Sequence, residues 1–403
     1  MSADLSERIP ERILVMESPQ NHLDHVSHGL KRLVDDVNAS ARNAAFGLGG
    51  VVCGSSWLAG FSQERVEYCG IDVEDLVDHV SFEAVVWLLL TGELPSDEQL
   101  ADAAAILGES AFVEQSAADA LCGLPLRTRP LELLPLAVSM LSVFDPIQMD
   151  RSPAATRSRV WRILGQLPVL LGCSLDGLPS NNRQTPAEGR PTLAGAILHL
   201  VNGGRRSTNV TSTSSSLEED VMNAVLICQC MTELRPACFA ARFFGSNIGD
   251  VIPALCSAAS LYVAQMRNDP YEWIGSRLRS FDSPDQAEHW LYGRNDQLLP
   301  FGFAVGETDP RVFLLQQSAR RLLGCHDRIR LAACAERLET LMDRHGRYPT
   351  MDWSAAVALT LLDVPPERMS LVIALARMVG WAAQAIDQNA SGITLLPQLH
   401  YAL

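Results

Sequence analysis

The last quarter of the chain carries one carboxylate and two guanidinium groups of the types needed for chemistry on an anionic substrate. Asp352 lies in YPTMDWSAAV (348–357), Arg311 in LPFGFAVGETDPR (299–311) and Arg377 in ALARMVGWAAQ (374–384). A carboxylate can give or take a proton, and an arginine can bind a carboxylate through two parallel hydrogen bonds. Each also has a structural interpretation, because Arg377 could pair with a core carboxylate and Asp352 could cap a helix beginning at Trp353. The residue types alone leave both interpretations open.

The scarcity of lysine excludes two classes of chemistry. Of the 32 lysines and arginines, only Lys31 is a lysine. The G-x-x-x-x-G-K-[ST] motif that binds nucleotide phosphates is therefore absent. Schiff-base catalysis would depend on Lys31, which lies in a polar stretch where nothing would activate its amine.

One group of side chains is a candidate for metal binding. His22, His25 and His28, in NHLDHVSH, recur every three residues, so on a helix they would share about one face. No acidic or cysteine residue at matching spacing supplies a fourth ligand, which favours a solvated helix face. The ten cysteines include no C-x-x-C pair or zinc spacing, so we expect free thiols and no metal.

Composition favours a soluble cytoplasmic protein. The 403 residues are 47% hydrophobic, yet no uninterrupted apolar run approaches the length of about 18 residues that suggests a membrane span. The first residues, MSADLSERIPERIL, lack the basic and apolar regions of a secretory signal. The net charge of -15 argues against nucleic acid and anionic membranes as partners, since both attract basic surfaces.

Apolar periodicity predicts helices along most of the chain. SFEAVVWLLLTGEL (81–94) has Ser81 as a candidate N-cap and Gly92 near its end. LEEDVMNAVLICQCMTEL (217–234) opens with acidic residues, which suit the positive end of a helix dipole, and a Ser/Thr loop (205–216) precedes it. A short β segment is expected only in VEYCGIDV (66–73). The sequence therefore predicts an all-α fold.

Three separated parts of the chain resemble citrate synthases, in the order found in that family. The first is 47–100, which contains GLGGVV, YCGIDVEDL and a helix ending GELP; Cys69 stands there in the place of the usual arginine. The second, TELRPACFAAR (232–242), is similar to H-E-L-N-A-S-T-F-A-A-R. The third comprises the C-terminal fragments that contain Asp352, Arg311 and Arg377. Chance similarity could produce one of these matches, but hardly all three.

The resemblance implies a specific architecture. Citrate synthases are mostly helical, with a smaller domain inserted near the C-terminus and the site in the cleft between the domains. By that analogy, 46–267 and 376–403 form the large domain, 268–375 the small domain and 1–45 an N-terminal helical arm. The resemblance also implies a homodimer, in which the C-terminal tail of each subunit reaches the neighbour's site.

The resemblance assigns roles to the three candidate residues. In citrate synthases a carboxylate removes a proton from the methyl group of acetyl-CoA, and Asp352 falls at its position. Arg311 and Arg377 fall where two arginines bind substrate carboxylates. An acyl thioester of coenzyme A would thus be a substrate, and no permanently bound cofactor is implied.

The histidines of the family are replaced in this chain. AQMRNDPYEW follows PALCSAASLYV (253–263) where G-P-L-H-G-G-A-N-E is expected, so Met266 takes the place of the histidine that stabilises the enolate. In FGFAV, Phe303 takes the place of the histidine that polarises the ketone. Neither side chain can donate a hydrogen bond, and loss of one such donor typically costs about 10²–10³ in rate. The other substituted positions expected to line the cleft are Gln229, Thr232, Ala304 and, in the tail, Gln398.

Three functions remain open at this point. The chain could be an enzyme with a remodelled site that acts on an acyl-CoA or on a di- or tricarboxylic acid. It could be a non-catalytic homologue that binds these molecules or regulates an active paralogue. It could also be a true citrate or 2-methylcitrate synthase that uses other residues. For the first interpretation, Asp352 is the acid or base, and Arg311 and Arg377 form the carboxylate clamp.

Overall fold

The structure, a computed structural model, describes residues 51–110, 112–125, 128–147, 149–176, 192–203, 212–294, 298–306 and 308–397. The predicted N-terminal arm with His22, His25 and His28 lies outside these ranges, as does Gln398. The described chain is predominantly helical, as predicted. Its α-helices are α1 (Val73–His79), α2 (Phe82–Thr91), α3 (Asp97–Glu109), α4 (Gln115–Cys122), α5 (Leu133–Val143), α6 (Pro153–Asp176), α7 (Leu193–Val201), α8 (Ser212–Cys230), α9 (Pro236–Ile248), α10 (Val251–Gln265), α11 (Pro270–Arg279), α12 (Pro284–Tyr292), α13 (Pro310–Arg320), α14 (His326–Asp343), α15 (Met351–Leu361) and α16 (Pro366–Ala390).

Two small antiparallel sheets accompany the helices. β1 (Ala59–Phe61), β2 (Val66–Tyr68) and β3 (Ile71–Asp72) form one sheet in that order, which confirms the β segment expected in VEYCGIDV. β4 (Phe303–Ala304) pairs with β5 (Tyr348–Pro349), with Phe303 opposite Pro349. This second pairing brings the FGFAV segment beside the start of α15.

Local capping explains where α2 begins and ends. The Ser81 side chain accepts a hydrogen bond from the Ala84 amide, and Gly92 closes the helix at φ 93°, a conformation that favours glycine. Both predicted caps are confirmed. The interior of α2 is almost entirely buried, so the helix is anchored in the core as well as capped.

The bounds of α8 differ from those predicted. The helix begins at Ser212, five residues before the predicted start at Leu217, because helix propagation from the apolar stretch extends through the serines. It ends at Cys230, four residues before the predicted end. The chain then becomes extended at Arg235, as expected for the residue before Pro236.

The central element of the core is α16, whose residues from Met369 to Ala385 are all buried. By length and composition α16 could span a membrane, but 94% of its most apolar window is buried inside the protein, as in the core helix of a globular domain. Two neighbouring helices approach its backbone closely. A Cβ at Gly380 would overlap the carbonyl oxygen of Cys230 at the end of α8, and a Cβ at Gly245 of α9 would lie 2.5 Å from the carbonyl oxygen of Ala385.

The same helix crosses the predicted domain boundary between residues 375 and 376 without a break. Its first half carries Ser370, which donates a hydrogen bond to Asp269 beside α11. Its second half carries Gln388, which accepts a 2.7 Å hydrogen bond from Arg242 of α9. α16 therefore contacts helices from both sides of the boundary. The division into two domains stays a prediction.

Candidate functional site

A cleft of about 450 Å³ opens where the ends of α8 and β5 meet the starts of α13 and α15. Asp352, Arg311 and Arg377 all contribute to its walls, although they lie on three different helices. The structure thus brings together the three residues singled out in the sequence. Gln229, Thr232 and Ala304, expected at substituted positions, line the same cleft.

Asp352 lies in the first turn of α15 and is partly open to the cleft, with 35% of its side chain exposed. The helix begins at Met351 with Thr350 as its N-cap, so Asp352 is not the cap of a helix that begins at Trp353. Its Oδ1 atom accepts a 2.5 Å hydrogen bond from the Tyr271 hydroxyl group. The same oxygen lies 3.8 Å from Nη2 of Arg377, so the carboxylate faces a cation.

Arg377 is buried in α16 and still has donors to offer. Its Nη2 atom donates to Gln229 Oε1 and to the Tyr271 hydroxyl oxygen, both at 3.3 Å. Its guanidinium carbon lies 5.1 Å from the centre of the Tyr262 ring, a cation–π contact. Its Nε atom is buried and has no hydrogen-bond partner among the described residues. Arg377 thus presents to the cleft a guanidinium group that the described residues engage only in part.

Arg311 lines the cleft as well, but its donors are largely committed to the protein. Nε and Nη2 donate to the two carboxylate oxygens of Asp309, at 3.0 and 2.6 Å. Nη1 donates to the carbonyl oxygens of Cys228 and Met231, at 3.0 and 2.8 Å. These contacts fix the end of α8 against the start of α13. The geometry favours Arg377 over Arg311 as the ligand for a substrate carboxylate.

Met266 and Phe303 do not line the cleft, contrary to expectation. Met266 is half-buried in a short 3-10 turn (Met266–Asn268) after α10, and its carbonyl oxygen faces Arg129 Nη1 at 3.5 Å. Phe303 turns away from the cleft because its ring packs on Trp353, with ring centres 4.6 Å apart.

Sequence reasoning missed three residues of this site. Tyr271 lies in the first turn of α11 and reaches Asp352 from 81 positions away in the chain. Tyr262, in α10, lies under the Arg377 guanidinium. Arg235 adds an exposed cation to the wall of the cleft. No sequence signal identified the tyrosines. The signal for Arg235 was its place in TELRPACFAAR, where an arginine stands at the position of the family's asparagine.

Burial sets the protonation of three groups near the cleft. It raises the pKa of Tyr271 well above its usual value, and the neighbouring Asp352 charge adds to the effect, so this phenol stays a donor. Burial likewise raises the pKa of Tyr262. Burial raises the pKa of Cys228, which lines the cleft, to about 12. Cys228 is therefore a neutral thiol and not a nucleophile at neutral pH.

The donors present in the cleft limit its chemistry. In the part of the chain that the structure describes, no histidine lines the cleft, and no three His, Cys, Asp or Glu side chains are grouped to hold a metal ion. The described lining of the cleft carries the carboxylates of Asp352, Glu233 and Asp309, the guanidinium groups of Arg377, Arg311 and Arg235, and neutral hydrogen-bonding groups. This arrangement can bind an anion and transfer a proton.

Comparison with known proteins identifies the family to which this chain belongs. A sequence model described as "Citrate synthase, C-terminal domain" matches residues 47–397, so the chain belongs to the citrate synthase family. Among its relatives, 2-methylcitrate synthase 1 of Corynebacterium glutamicum is 25% identical over 88% of this chain and 94% of its own. The citrate/2-methylcitrate synthase of Bacillus subtilis is also 25% identical, over 88% and 95%.

Solved structures show the same all-α fold. The citrate synthase of Thermoplasma acidophilum, solved as a ternary complex with carboxymethyl coenzyme A and oxaloacetate, matches with a TM-score of 0.73 and 18% identity, over 87% of this chain and 94% of its own. The citrate synthase of Pyrobaculum aerophilum matches with a TM-score of 0.75 and 17% identity, over 88% and 91%. The fold predicted from the sequence is confirmed.

Proposed function

We propose that this protein acts on a carboxylic acid or its coenzyme A thioester, with Asp352 as acid or base and Arg377 as the main carboxylate ligand. The observation that carries the proposal is the contact group formed by Asp352, Tyr271 and Arg377, of which Asp352 and Arg377 line the cleft and Tyr271 lies buried behind them. A base that takes a proton from a carbon atom needs an open carboxylate oxygen close to a bound substrate. Asp352 has such an oxygen, since only Oδ1 is engaged by the described residues.

The substrate class is proposed from charge and from the relatives. An anion in the cleft would meet Arg377, which is buried and therefore acts through a low dielectric, and Arg235, which is exposed. Arg311 would support the site by holding the end of α8 in place. The ternary complex of the Thermoplasma enzyme supports an acyl-CoA and a dicarboxylic acid as the first candidates.

Efficient citrate synthesis is not the activity we propose. The thioester oxygen becomes negatively charged as Asp352 removes the proton, and it needs a preorganised donor. With no histidine among the described residues of the cleft, that donor would have to be a weaker group. Two lost donors, each worth about 10²–10³, would leave little condensation.

The second candidate is a non-catalytic carboxylate or acyl-CoA binder, and the committed donors of Arg311 favour it. The third is a genuine citrate or 2-methylcitrate synthase, which the names of the relatives favour. All three candidates share the same anion site. They differ in turnover, which makes turnover the discriminating measurement.

The test combines ligand binding with turnover. Thermal unfolding is followed with acetyl-CoA, propionyl-CoA, oxaloacetate and citrate, since a ligand at 100 times its Kd adds about 2.7 kcal/mol to stability. Release of free coenzyme A from acetyl-CoA and oxaloacetate should stay below about 1 s⁻¹, the low end of ordinary enzymes. Faster release would establish the third candidate and overturn our proposal.

Asp352→Asn separates enzyme from binder, because it keeps the shape of the side chain and removes the base. Anion binding should persist or strengthen, since one negative charge leaves the cleft. Turnover of a substrate found in the screen should fall by orders of magnitude. Unchanged turnover would exclude Asp352 as the acid or base, and weaker anion binding would point to a structural role in orienting Arg377.

A further inference from the structure

Tyr271 is held in place by a capping arrangement that involves two other parts of the chain. Asp269 caps α11 by accepting hydrogen bonds from the amides of Tyr271 and Glu272, at 2.9 and 3.1 Å. Asp269 also accepts from Ser370 of α16 and lies 3.6 Å from Arg129. The first turn of α11, and with it the Tyr271 ring, is therefore fixed against the core.

The Tyr271 hydroxyl group makes two contacts, one as donor and one as acceptor. It donates to Asp352 Oδ1 at 2.5 Å and accepts from Arg377 Nη2 at 3.3 Å. The ring is fully buried, so the hydroxyl group is connected to the cleft through Asp352 and Arg377 and does not line it. No described residue donates to the other oxygen of Asp352, and that side chain is 35% exposed.

We propose that Tyr271 is a positioning residue for Asp352: its hydroxyl group occupies Oδ1 and leaves Oδ2 as the one oxygen that exchanges protons in the cleft. A hydrogen bond to the ionised form of a carboxyl group favours that form. The phenol is kept protonated by burial and remains a donor at every working pH. Tyr271 thereby both orients the carboxylate and weakens it as a base.

The inference rests on the proposed role of Asp352 for its meaning, but the contact can be tested without any activity. Other charged or titratable groups lie around Asp352. Those that line the cleft are Arg377, Arg311, Asp309, Glu233 and Arg235. Behind the cleft wall lie Tyr262, under Arg377, and Glu339 on α14, beside Trp353. Among the described residues, none of these groups donates a hydrogen bond to the Asp352 carboxylate, and Arg377 lies 3.8 Å from it. Removal of the Tyr271 hydroxyl group should therefore act on Asp352 directly.

The experiment is nuclear magnetic resonance of the whole protein carrying ¹³C in its aspartate carboxyl groups, with Asp352→Asn to assign the signal. In Tyr271→Phe, the pH profile of the Asp352 carboxyl signal should move to higher pH, because the ionised form has lost its donor. Tyr262→Phe is the matched control, since it removes a buried phenol oxygen that has no hydrogen-bond partner in the part of the chain that the structure describes. It should leave the profile where it was.

A second signal keeps the test decisive if Tyr271→Phe fails to fold. In the wild-type protein, the buried Tyr271 hydroxyl proton should give a strongly deshielded resonance, as expected for a short bond to a carboxylate. That resonance should move upfield in Asp352→Asn and persist in Tyr262→Phe. An unmoved Tyr271→Phe profile, or a hydroxyl resonance indifferent to Asp352→Asn, would overturn the proposal. Either result would leave the proposed function to be judged by turnover alone.

Discussion

At the scale of single residues, the two arginines of the cleft have different surroundings. Arg311 donates to Asp309 and to two main-chain carbonyl oxygens, so it serves chiefly as a brace between α8 and α13. Arg377 has a buried nitrogen without a hydrogen-bond partner among the described residues, and its neighbours are mostly neutral. The same residue type thus serves stability in one place and ligand binding in the other.

We expect Arg311→Gln to destabilise the protein strongly. Each buried carbonyl oxygen left without a donor costs about 1–3 kcal/mol, and Asp309 loses its bidentate partner. Arg320→Gln on the same helix is the control: its ion pair with Glu336 is exposed on both sides and should contribute no more than about 1 kcal/mol. Thermal unfolding compares the two, and equal losses would contradict the bracing role.

The sequence predicted part of this site and had no means of predicting the rest. Asp352, Arg311 and Arg377 could be singled out because each lies in a recognisable fragment, and the structure places them in one cleft. Tyr271 could not, because its role depends on a contact with a residue 81 positions away. Phe303 was expected to line the cleft, but its ring packs on Trp353. Local sequence does not reveal a tertiary contact of this kind.

At the scale of elements, α14 supports the helix that carries Asp352. The Glu339 side chain accepts a 2.6 Å hydrogen bond from the Trp353 indole nitrogen and a 3.1 Å hydrogen bond from Gln316. Trp353 is buried directly after Asp352 in α15. Burial raises the pKa of Glu339, and its two hydrogen bonds offset only part of that effect.

We expect Glu339→Gln to change how stability depends on pH. Because the pKa of Glu339 is raised by folding, the folded protein holds its proton to higher pH than the unfolded chain does. As pH rises from about 4.3, the usual pKa of glutamate, through the raised pKa of Glu339 in the folded protein, ionisation of Glu339 lowers the stability of the wild-type protein. The amide of the variant still accepts from Trp353 and cannot ionise, so its stability relative to wild type should increase over this window.

Thermal unfolding of both proteins between about pH 4 and pH 8 checks this expectation. Asp343→Asn, at an exposed residue on the same helix, is the control and should show no such trend. A difference between Glu339→Gln and wild type that is flat or falls with pH would contradict the burial argument.

Helices with strong local signals were predicted best. The bounds of α2 follow from Ser81 and Gly92, whose capping roles are local and were therefore visible in the sequence. α8 began earlier than predicted because its serine-rich start is helical only as a continuation of the apolar stretch that follows it. Propagation of a helix into neighbouring residues depends on the whole segment, which the propensities of single residues do not describe.

At the scale of the whole molecule, two neighbouring helices of the described chain carry exposed apolar side chains. Leu136, Val143 and Phe144 at α5, and Leu261 on α10, have exposed side chains. The two helices lie side by side, since the Ser139 hydroxyl group contacts the Cys256 thiol at 3.3 Å. An apolar face of this kind is typical of an interface between subunits, and the resemblance to citrate synthases implies a dimer.

We expect the protein to elute at twice the mass of one chain in size-exclusion chromatography with light scattering. Leu136→Asp should shift it towards the monomer, because a charge would be buried in the interface. Phe313→Asp is the matched control: Phe313 is likewise exposed and apolar but lies on a different helix, α13. A monomeric wild type, or dissociation by both variants alike, would contradict the assignment of the interface.

The close crossing of α16 and α8 at Gly380 has a consequence for genetics. A methyl group at Gly380 would overlap the carbonyl oxygen of Cys230. The residue before Cys230 is Gln229, whose side chain accepts a hydrogen bond from Arg377. In a random-mutagenesis screen for inactive alleles, nearly every missense change at codon 380 should inactivate the protein, as should changes at codon 352. The two classes would separate on a gel of the soluble fraction, where only the codon 352 products should remain abundant. An allele map of this gene would thus mark a residue with no chemistry of its own as essential.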